Sequence, residues 1–356
     1  MRVAYVVGWP EGPTSGPFKK IRAQTAAWVD QGVEVGLYVF TTQQFADDWQ
    51  QLPAARSVVA RGSGPAVAFQ KEALLRAARA WQPDVIYHRW SLTYPGLVRA
   101  MRRETVVIEI NTDDVVEYDL MTPMKGRINR LTRGVVLRRA SGLAFVTREL
   151  VDTPAFARYQ RPSVVVANGI ELAKVPQQPA PVNERPVLLF IGQPHCPWHG
   201  LDKLAYLART EPEWEIDVVG PGAAEVRDPP PNMVFHGLLE AADYSRHLAR
   251  ANIGVGSLAL HRKRLNEASP LKVREYLATG LPVINGYTDT DYPDGADFLL
   301  TLPNTEDNVE AGLGAIRDFV AKWSTLRVPR EAVGHLDYAA KEATRLAFFR
   351  TLLPRP

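Results

Sequence analysis

A short capped helix that leads into a strand is predicted by the stretch Glu267-Ala-Ser-Pro-Leu-Lys-Val-Arg-Glu-Tyr-Leu-Ala-Thr-Gly-Leu-Pro-Val-Ile284. Ser269 is a good N-cap, Pro270 suits the first helical turn, and Gly280 is a good C-cap. One face of this helix is apolar and consists of Leu271, Tyr276 and Leu277, with Val273 or Ala278 at its margin. The apolar residues after Gly280 then begin a strand behind the helix.

The start of this helix has the features of an anion site. Free backbone amides at a helix N-terminus, together with Lys272 in the first turn, favour a bound anion such as diphosphate. Two carboxylates bracket this position, Glu267 before the helix and Glu275 inside it. A diphosphate needs positive charge and sugar hydroxyls need acceptors, so the pattern suits a nucleotide-sugar. The alternative is a surface helix whose glutamates are only solvated.

The two glutamates, separated by seven residues and followed by Leu277-Ala-Thr-Gly-Leu-Pro-Val283, resemble the donor signature of retaining glycosyltransferases of family 4, the group 1 type. The resemblance implies an α/β chain with the GT-B architecture, in which two Rossmann-like domains face each other across a cleft. It implies that Glu267 is catalytic and faces the donor sugar, and that Glu275 binds the ribose. The Ser-Pro-Leu-Lys version of the motif also occurs in that family, and its implied donor-binding residues are Ser269, Pro270, Leu271 and Lys272.

Composition and charge narrow the class of protein. The chain has 356 residues, enough for two domains, and 46% hydrophobic with 23% charged residues is typical of a soluble globular protein. A net charge of +3 does not indicate the strongly basic surface that nucleic-acid binding requires, so we expect no nucleic-acid partner. A single cysteine, Cys196, excludes an intrachain disulfide and fits a reducing compartment. With no signal-peptide pattern and no long apolar run, we expect a cytoplasmic protein, with peripheral contact at the inner membrane face as an alternative.

Strands and helices alternate along both halves of the chain. Apolar strands separated by amphipathic helices are typical of parallel sheets covered on both faces, which predicts two Rossmann-like domains. The segment Pro176–Pro181 breaks both periodicities and is interpreted as the linker. We therefore predict an acceptor-binding domain over 1–175 and a donor-binding domain over 176–335. By resemblance, the last helix in 336–356 crosses back to the first domain.

Candidate site residues of the first domain lie in one loop and at the ends of two strands. The loop Gly8–Gly16 resembles the family's glycine-rich loop over the donor diphosphate, with Gly16 as its candidate residue; as an ordinary turn it needs no function. Arg89 and Asn111, which follow two strands, are candidates for acceptor binding, although strand-end polar groups are often satisfied by neighbouring loops. Asp113 is the first candidate for a catalytic base. The family carries a histidine near this place, and here Asn111 and Asp113 occupy it.

The second domain departs from the family where the diphosphate binds. The family often has an arginine after the glycine that matches Gly192 and a lysine before the next glycine, whereas this chain has Gln193 and His199. His199 would supply charge only when protonated, near its reference pKa of ~6.5. Lys272, with the basic run at 262–264, is expected to supply the missing charge. Gly220 and His236 resemble residues beside the nucleotide in that family.

A basic segment, Met124–Ala140, interleaves arginines with apolar residues. Such a helix either lies on an anionic membrane or packs an apolar stripe against the sheet, and we favour the second interpretation. The family's lipid-acceptor members make the first worth testing.

Taken as one hypothesis, these features predict a retaining, metal-independent, hexosyltransferase-like enzyme. It would move a sugar from a nucleotide-diphosphate sugar to an acceptor hydroxyl of a glycan, a lipid or a small molecule, with no metal or other cofactor. The main alternative is a non-catalytic nucleotide-sugar-binding protein or scaffold partner, motivated by Gln193 and His199. A hydrolase or epimerase on the same fold is a further alternative.

Overall fold

A computed structural model describes residues 1–13, 15–61, 66–239 and 241–354. Backbone contacts divide the chain into two compact units, one formed by Met1–Ala167 with Tyr338–Pro356 and the other by Asn168–Asp337. Each unit has its own parallel sheet with its own helices and hydrophobic core. The predicted α/β class with two Rossmann-like domains is confirmed.

The first unit contains a seven-stranded sheet in the order β3-β2-β1-β4-β5-β6-β7, and every neighbouring pair is parallel. Its strands are β1 Arg2–Gly8, β2 Glu34–Thr41, β3 Arg56–Arg61, β4 Val85–Arg89, β5 Val106–Ile110, β6 Gly142–Phe145 and β7 Ser163–Val165. Its helices before residue 168 are α1 Gly16–Asp30, α2 Ala46–Gln50, α3 Ala66–Ala80, α4 Pro95–Ala100, α5 Asp114–Met121, α6 Pro123–Arg139 and α7 Arg148–Asp152. The central strands are buried along nearly their whole length, as expected for a sheet covered on both faces.

The second unit contains a six-stranded parallel sheet in the order β10-β9-β8-β11-β13-β15, beside a two-stranded β12-β14 pair. Its strands are β8 Val187–Ile191, β9 Glu215–Val219, β10 Met233–Gly237, β11 Ile253–Val255, β12 Glu267–Ala268, β13 Val283–Asn285, β14 Thr288–Asp289 and β15 Leu299–Thr301. Its helices are α8 Leu201–Thr210, α9 Ala241–Arg250, α10 Leu271–Thr279, α11 Asn308–Ala311 and α12 Leu313–Trp323.

The last helix, α13 Tyr338–Thr351, belongs to the first unit. Leu346 and Phe349 are fully buried in the first unit's core, where the Phe349 ring centroid lies 5.3 Å from that of Tyr87. Glu342 accepts a 2.7 Å hydrogen bond from the Trp28 indole of α1. The first unit is therefore built from two separate stretches of the chain.

The boundary between the units lies between Ala167 and Asn168, several residues before the predicted boundary at 175/176. The proline-rich segment 176–181 belongs to the second unit, where the Gln178 amide donates to the Thr279 carbonyl at 3.0 Å and the Gln177 side chain donates to the Val328 carbonyl at 2.6 Å. Loss of helical and strand periodicity therefore marks a chain segment that docks in an extended form, rather than a free linker.

The helix α10 ends as predicted and begins differently. Gly280 has φ +91°, the left-handed conformation of a glycine C-cap. Pro270 is the N-cap residue, with extended backbone, and Ser269 makes no capping hydrogen bond. The buried face includes Val273, which is completely buried, whereas Leu271 is only half-buried. The apolar pattern placed Leu271 on the buried face and Val273 at its margin, and the structure reverses these two positions.

Candidate functional site

The ammonium group of Lys272 is the most unusual charge in the second unit. Lys272 lies in the first turn of α10, and its Nζ atom lies 3.9 Å from the centroid of the Phe190 ring at the end of β8. The atom is buried and has no hydrogen-bond partner among the described residues. Burial lowers the pKa of Lys272 from 10.5 to about 7. A buried cation that lies against an aromatic face, without a hydrogen-bond acceptor in the described structure, is a strong potential partner for an anion.

His199 lies next to this lysine and is held neutral. Its Nδ1 atom is 3.2 Å from the Ser257 hydroxyl, while its Nε2 atom is buried and has no hydrogen-bond partner among the described residues. Burial, followed by the charges of Lys272 and Lys263, lowers the pKa of His199 well below 6.5. At neutral pH this imidazole therefore offers hydrogen bonds rather than positive charge.

Three glycines bring the carboxyl ends of β8, β9 and β10 into close contact. The Gly192 amide donates to the Val219 carbonyl at 3.0 Å, and the Gly220 amide donates to the Gly237 carbonyl at 2.7 Å. Gly220 has φ +102°, and a Cβ atom there would lie 1.9 Å from the Gly192 carbonyl oxygen. A Cβ atom at Gly192 would lie 2.9 Å from the His199 ring. The backbone is thus packed closely at the sheet edge where parallel α/β folds bind ligands.

The other polar residues expected around the diphosphate are arranged differently from the prediction. Gln193 is exposed at the surface. Arg262, which the sequence offered as a compensating charge, is instead paired with two carboxylates, at 2.8 Å from Asp202 and 2.8 Å from Glu306. Lys263 lies over the Trp198 ring, with Nζ 4.4 Å from its centroid. Lys272, in contrast, has no hydrogen-bond acceptor for its ammonium in the described ranges of the chain.

The two signature glutamates lie on different elements. Glu267 is half-buried in β12, which pairs with β14. Glu275 accepts a short hydrogen bond from the Tyr244 hydroxyl of α9. Burial, followed by the charge of Glu275, raises the pKa of Tyr244 well above 10, so its hydroxyl stays protonated and donates. Sequence reasoning missed this partner because nothing in a helix sequence reveals which residue of another helix it faces.

A buried arginine holds the segment that precedes α10. Arg274 is fully buried, and its guanidinium makes two hydrogen bonds to Asp289, at 2.9 and 2.8 Å. It also donates to the Asn168 carbonyl at 3.0 Å and to the Ser269 hydroxyl at 2.8 Å. The Ser269 hydroxyl accepts from the Asn168 amide as well, at 3.0 Å. Ser269 therefore fixes the chain that carries Glu267 to the start of the second unit, in place of the predicted cap.

The side chain of His236, in the edge strand β10, contacts β9 and α9. Its Nε2 atom lies 2.8 Å from Asp217 of β9, and its ring centroid lies 4.1 Å from that of His247 in α9. Its side chain is therefore committed to neighbours within the second unit, and only its backbone is left for the nucleotide contact that the family resemblance implies.

In the first unit, the predicted acceptor residues surround a buried ion pair. Lys20 of α1 lies 2.6 Å from Glu109 of β5 and donates to the Asn111 side chain at 2.7 Å. Arg89 lies 3.5 Å from the same Glu109. Burial would raise the pKa of Glu109, but the charges of Lys20, Arg89 and Arg345 outweigh it and hold that pKa well below its usual range. Burial lowers the pKa of Lys20 to about 8 against the opposing charge of Glu109. The sequence analysis missed both Lys20 and Glu109.

Asp113 and Gly16 occupy the starts of helices. Asp113 is the N-cap of α5, and its Oδ1 atom accepts from the amides of Val115 and Val116 at 2.9 and 3.2 Å. Gly16 is the first residue of α1, which Ser15 caps. Thr14, which belongs to the same glycine-containing loop, lies outside the described residues. The structure thus gives Asp113 a capping role that is independent of any catalysis.

These two units define a class of fold, the GT-B fold of glycosyltransferases. The structure is similar over 99% of this chain to sucrose-phosphate synthase (tll1590) from Thermosynechococcus elongatus, covering 98% of that chain, with a TM-score of 0.73 and 15% identity. It is also similar to Anabaena Alr3699/HepE in complex with UDP-glucose, with a TM-score of 0.67, 16% identity and 99% of each chain covered.

A third similar structure is the apo form of the lipopolysaccharide outer core galactosyltransferase WaaB, with a TM-score of 0.63, 12% identity, and coverage of 99% of this chain and 100% of that one. No protein-family model matches the chain, and no curated protein sequence matches it significantly. At such identities the structural likeness establishes the fold. Among the described residues, no helix combines the length and the apolar character needed to cross a bilayer.

Proposed function

We propose that the protein is a retaining glycosyltransferase that transfers a sugar from a nucleotide-diphosphate sugar to an acceptor hydroxyl. The observation that carries this proposal is Lys272, whose buried ammonium has no hydrogen-bond acceptor among the described residues at the start of α10. Structurally similar proteins include one in complex with UDP-glucose. UDP is therefore the first nucleotide to test.

The proposed chemistry places negative charge beside Lys272. When the bond between sugar and diphosphate breaks, positive charge develops at the anomeric carbon and negative charge on the leaving phosphate. The amides of Leu271 and Lys272, with the Lys272 ammonium, stabilise that phosphate at the helix N-terminus. Ser269 and Pro270 shape the turn that presents these amides. A fixed cation at this place supports a metal-independent transfer.

His199 adds a directional hydrogen bond to the same phosphate. If the Ser257 hydroxyl donates to Nδ1, the proton of the neutral imidazole is on Nε2, the buried atom that has no partner among the described residues. In this proposal Nε2–H donates to a phosphate oxygen. A neutral donor thus stands where the family has a lysine, and the charge is concentrated on Lys272.

The two glutamates take the roles that the family resemblance implies. Glu275 accepts from the ribose hydroxyls, with Tyr244 fixing one of its oxygens. Glu267 holds hydroxyls of the donor sugar. Gly192 and Gly220 allow the backbone to approach the nucleotide, with His236 contributing through its main chain and Gln193 from the loop after β8. Gly16, Arg89 and Asn111 remain the acceptor-side proposals in the first unit, and Asp113 remains the base to be tested.

Thermal unfolding with nucleotides tests the donor site directly. We would compare UDP, GDP, ADP, CDP and dTDP, each with and without magnesium; a selective ligand at a hundredfold excess over its dissociation constant stabilises the protein by about 2.7 kcal/mol. A shift with one nucleotide, unchanged by magnesium, supports the proposal. Glu267→Ala should then abolish release of nucleotide from the matching nucleotide-sugar, and unchanged release would remove Glu267 from its role.

A non-catalytic nucleotide-sugar-binding protein is the second candidate. It is favoured by the neutral state of His199 and the exposure of Gln193, because the phosphate then has fewer charged partners than in the family. A nucleotide-dependent thermal shift combined with no turnover of any nucleotide-sugar would favour this candidate. Consumption of nucleotide-sugar without an acceptor would instead favour a hydrolase or an epimerase.

We also propose peripheral contact of the first unit with an anionic membrane on the cytoplasmic side. The buried face of α6 is partly polar, since Asn129 and Arg133 are buried and both bond to Asp114. The buried apolar residues of this helix, Val136 and Leu137, lie near its C-terminal end, whereas apolar side chains nearer its start are exposed. The exposed apolar residues of α5 and α6 are Leu120 at 49%, Met124 at 79%, Ile128 at 49% and Leu131 at 84%.

The interpretation favoured from sequence, in which the apolar stripe of the segment 124–140 packs on the sheet, fits the buried Val136 but not the exposed Ile128 and Leu131. Exposed arginines flank the stripe, and beside it a cavity is lined by Arg130, Leu131, Gly134, Arg138, Arg158 and Tyr159. Exposed apolar residues surrounded by cations are typical of helices that lie on anionic bilayers.

Vesicle sedimentation tests this contact. We expect binding to vesicles that contain phosphatidylglycerol and not to pure phosphatidylcholine, with loss of binding in Ile128→Ser/Leu131→Ser. Phe69→Ser is the matched control, because Phe69 is 78% exposed on α3 of the same unit. Equal binding of the double variant and the control would refute the contact.

A further inference from the structure

Two histidines and an aspartate converge on one point at the edge of the second unit's sheet. Asp217 is fully buried in the middle of β9. His236 comes from the neighbouring edge strand β10, and His247 comes from α9. The His236 Nε2 atom lies 2.8 Å from one carboxylate oxygen of Asp217, and the His247 Nδ1 atom lies 3.2 Å from the other.

A carboxylate in the middle of a buried strand needs strong compensation, because removing its charge from water costs several kcal/mol. Arg250 supplies part of it, with Nη1 3.1 Å from the oxygen of Asp217 that also faces His247. Arg250 is shared with Glu215, which Arg185 also holds at 2.8 Å. Within the described part of the chain, no arginine or lysine pairs with the oxygen that faces His236.

We propose that Asp217, His236 and His247 bind a divalent transition metal of the zinc class. One carboxylate oxygen and one nitrogen from each imidazole lie within 4.8 Å of one another. In a tetrahedral zinc site ligand atoms are about 2.0–2.1 Å from the metal and therefore about 3.3 Å apart. The His236 Nε2 atom already lies 2.8 Å from the oxygen that would coordinate, and the other ligand pairs lie within 4.8 Å, so shifts of up to about 1.5 Å bring the set to tetrahedral spacing.

Metal binding requires each imidazole to present an unprotonated nitrogen to the ion, and the Asp217 carboxylate offsets part of the positive charge that the ion adds. Each imidazole coordinates through the nitrogen that now faces Asp217, so its proton is carried on the other ring nitrogen. The carboxylate coordinates through the oxygen near His236, which leaves the other oxygen to Arg250 as an outer hydrogen-bond partner. Water completes the coordination. His236 and His247 have side-chain exposures of 22% and 19%, which provides a path from solvent.

The ion would add a coordinate link among three elements that core packing and hydrogen bonds already connect. It ties the edge strand β10 and the helix α9 to β9 of the sheet interior. Because α9 also carries Tyr244, the partner of Glu275, the metal would secure the helix that holds a residue of the proposed donor site. The metal site itself does not depend on that proposed function.

The test measures metal on the purified, tag-free full chain after dialysis against a chelator. We expect one Zn²⁺ per chain in competition with a chromophoric chelator, and a tetrahedral visible absorption spectrum when Co²⁺ replaces Zn²⁺. His236→Ala and His247→Ala should each weaken Zn²⁺ binding by at least ~100-fold, since losing even an outer-shell partner costs about 10–100-fold. Asp217→Asn keeps the shape of the side chain and should also lose the Co²⁺ spectrum.

His195→Ala is the matched control, because the His195 side chain is 83% exposed and outside the cluster. It should retain wild-type stoichiometry and affinity. Wild-type protein that binds no Zn²⁺, or that gives no tetrahedral Co²⁺ spectrum, overturns the proposal without any variant having to fold. Affinity in His236→Ala and His247→Ala equal to that of His195→Ala overturns it as well.

Discussion

Each unit contains a lysine whose ammonium is buried, and the two lysines are compensated in opposite ways. Lys20 in the first unit lies 2.6 Å from Glu109 and also donates to Asn111. Lys272 in the second unit lies over the Phe190 ring and has no hydrogen-bond acceptor among the described residues. Burial lowers the pKa of both, to about 8 and about 7. Similar pKa values therefore accompany two different environments, an ion pair at Lys20 and an aromatic face at Lys272.

The largest effect should come from breaking the paired lysine. Lys20→Met leaves Glu109 buried without its nearest cation, so we expect the free energy of unfolding to fall by about 3 kcal/mol or more. Urea denaturation measures it. Lys19→Met is the control at the neighbouring position of α1, which is half-buried. If Lys20→Met costs no more than Lys19→Met, the pair does not have the structural role assigned to it.

Lys272→Met should affect ligand binding more than stability, which is the reverse of the effect expected for Lys20→Met. Lys272→Met removes an uncompensated buried charge, so we expect stability in the absence of ligand to stay level or rise. Affinity for the nucleotide-sugar should fall by about 10- to 100-fold, the loss of a charge-assisted hydrogen bond of about 1.5–3 kcal/mol. Calorimetric titration of wild type and variant measures both quantities. Unchanged affinity would separate Lys272 from the diphosphate.

The pH dependence of binding should distinguish the two lysines further. In the proposed function the ammonium form of Lys272 binds the diphosphate, and the pKa of Lys272 in the free protein is about 7. Affinity is therefore greatest below that pH and should fall by up to about tenfold for each unit above it, until the pKa of the bound state is reached. An intact nucleotide-sugar is the correct probe, because its diphosphate does not titrate in this range. Lys272→Met should remove the slope, and a slope that persists in this variant would assign it to another group.

The same pKa has an opposite consequence for folding. The folded-state pKa of Lys272 lies below its unfolded value of 10.5, so the unfolded chain binds the proton more tightly. This lysine therefore opposes folding most below about pH 7, and its penalty shrinks as pH rises from about 7 toward 10.5. In Lys272→Met the pH dependence of stability over this window should be flatter than in wild type, as measured by urea denaturation at several pH values.

The smallest effect concerns the first unit's predicted base. Asp113→Asn should keep the cap of α5, because asparagine is also a good N-cap, whereas Asp113→Ala should cost about 1 kcal/mol of stability. If capping is the main role, turnover in Asp113→Asn stays within a few-fold of wild type. A hundredfold loss of turnover in a stable Asp113→Asn protein would restore Asp113 as a catalytic base.

Local features of the sequence predicted the fold well. Short apolar strands such as Val187–Ile191 alternate with amphipathic helices in both units, which is the pattern that predicted two Rossmann-like domains. Gly280 was predicted to be the C-cap of α10. Its left-handed backbone conformation, which favours glycine, confirms that prediction. The resemblance to a GT-B family, carried by one capped helix and its strand, anticipated the Rossmann-like fold of each unit.

The features that sequence missed all depend on residues far apart in the chain. Ser269 was expected to cap α10, but its hydroxyl accepts hydrogen bonds from Asn168 and Arg274 instead. Lys20 and Glu109 look like ordinary helix and strand residues until the fold places them 2.6 Å apart. The outward orientation of Ile128 and Leu131 follows from the buried bonds of α6 to Asp114. Periodicity reveals a helix with one apolar face, and not the direction in which that face points.

The position of α13 also determines the order in which the protein can be completed during synthesis. Residues 168–337 form one uninterrupted unit, so its whole core is available before α13 leaves the ribosome. The first unit begins earlier and finishes later, since Leu346 and Phe349 fill its core and Glu342 accepts from Trp28. Until those residues are synthesised, the aromatic side chains of Trp28 and Tyr87 are not covered by Phe349. The unit that is translated first is the last to be finished.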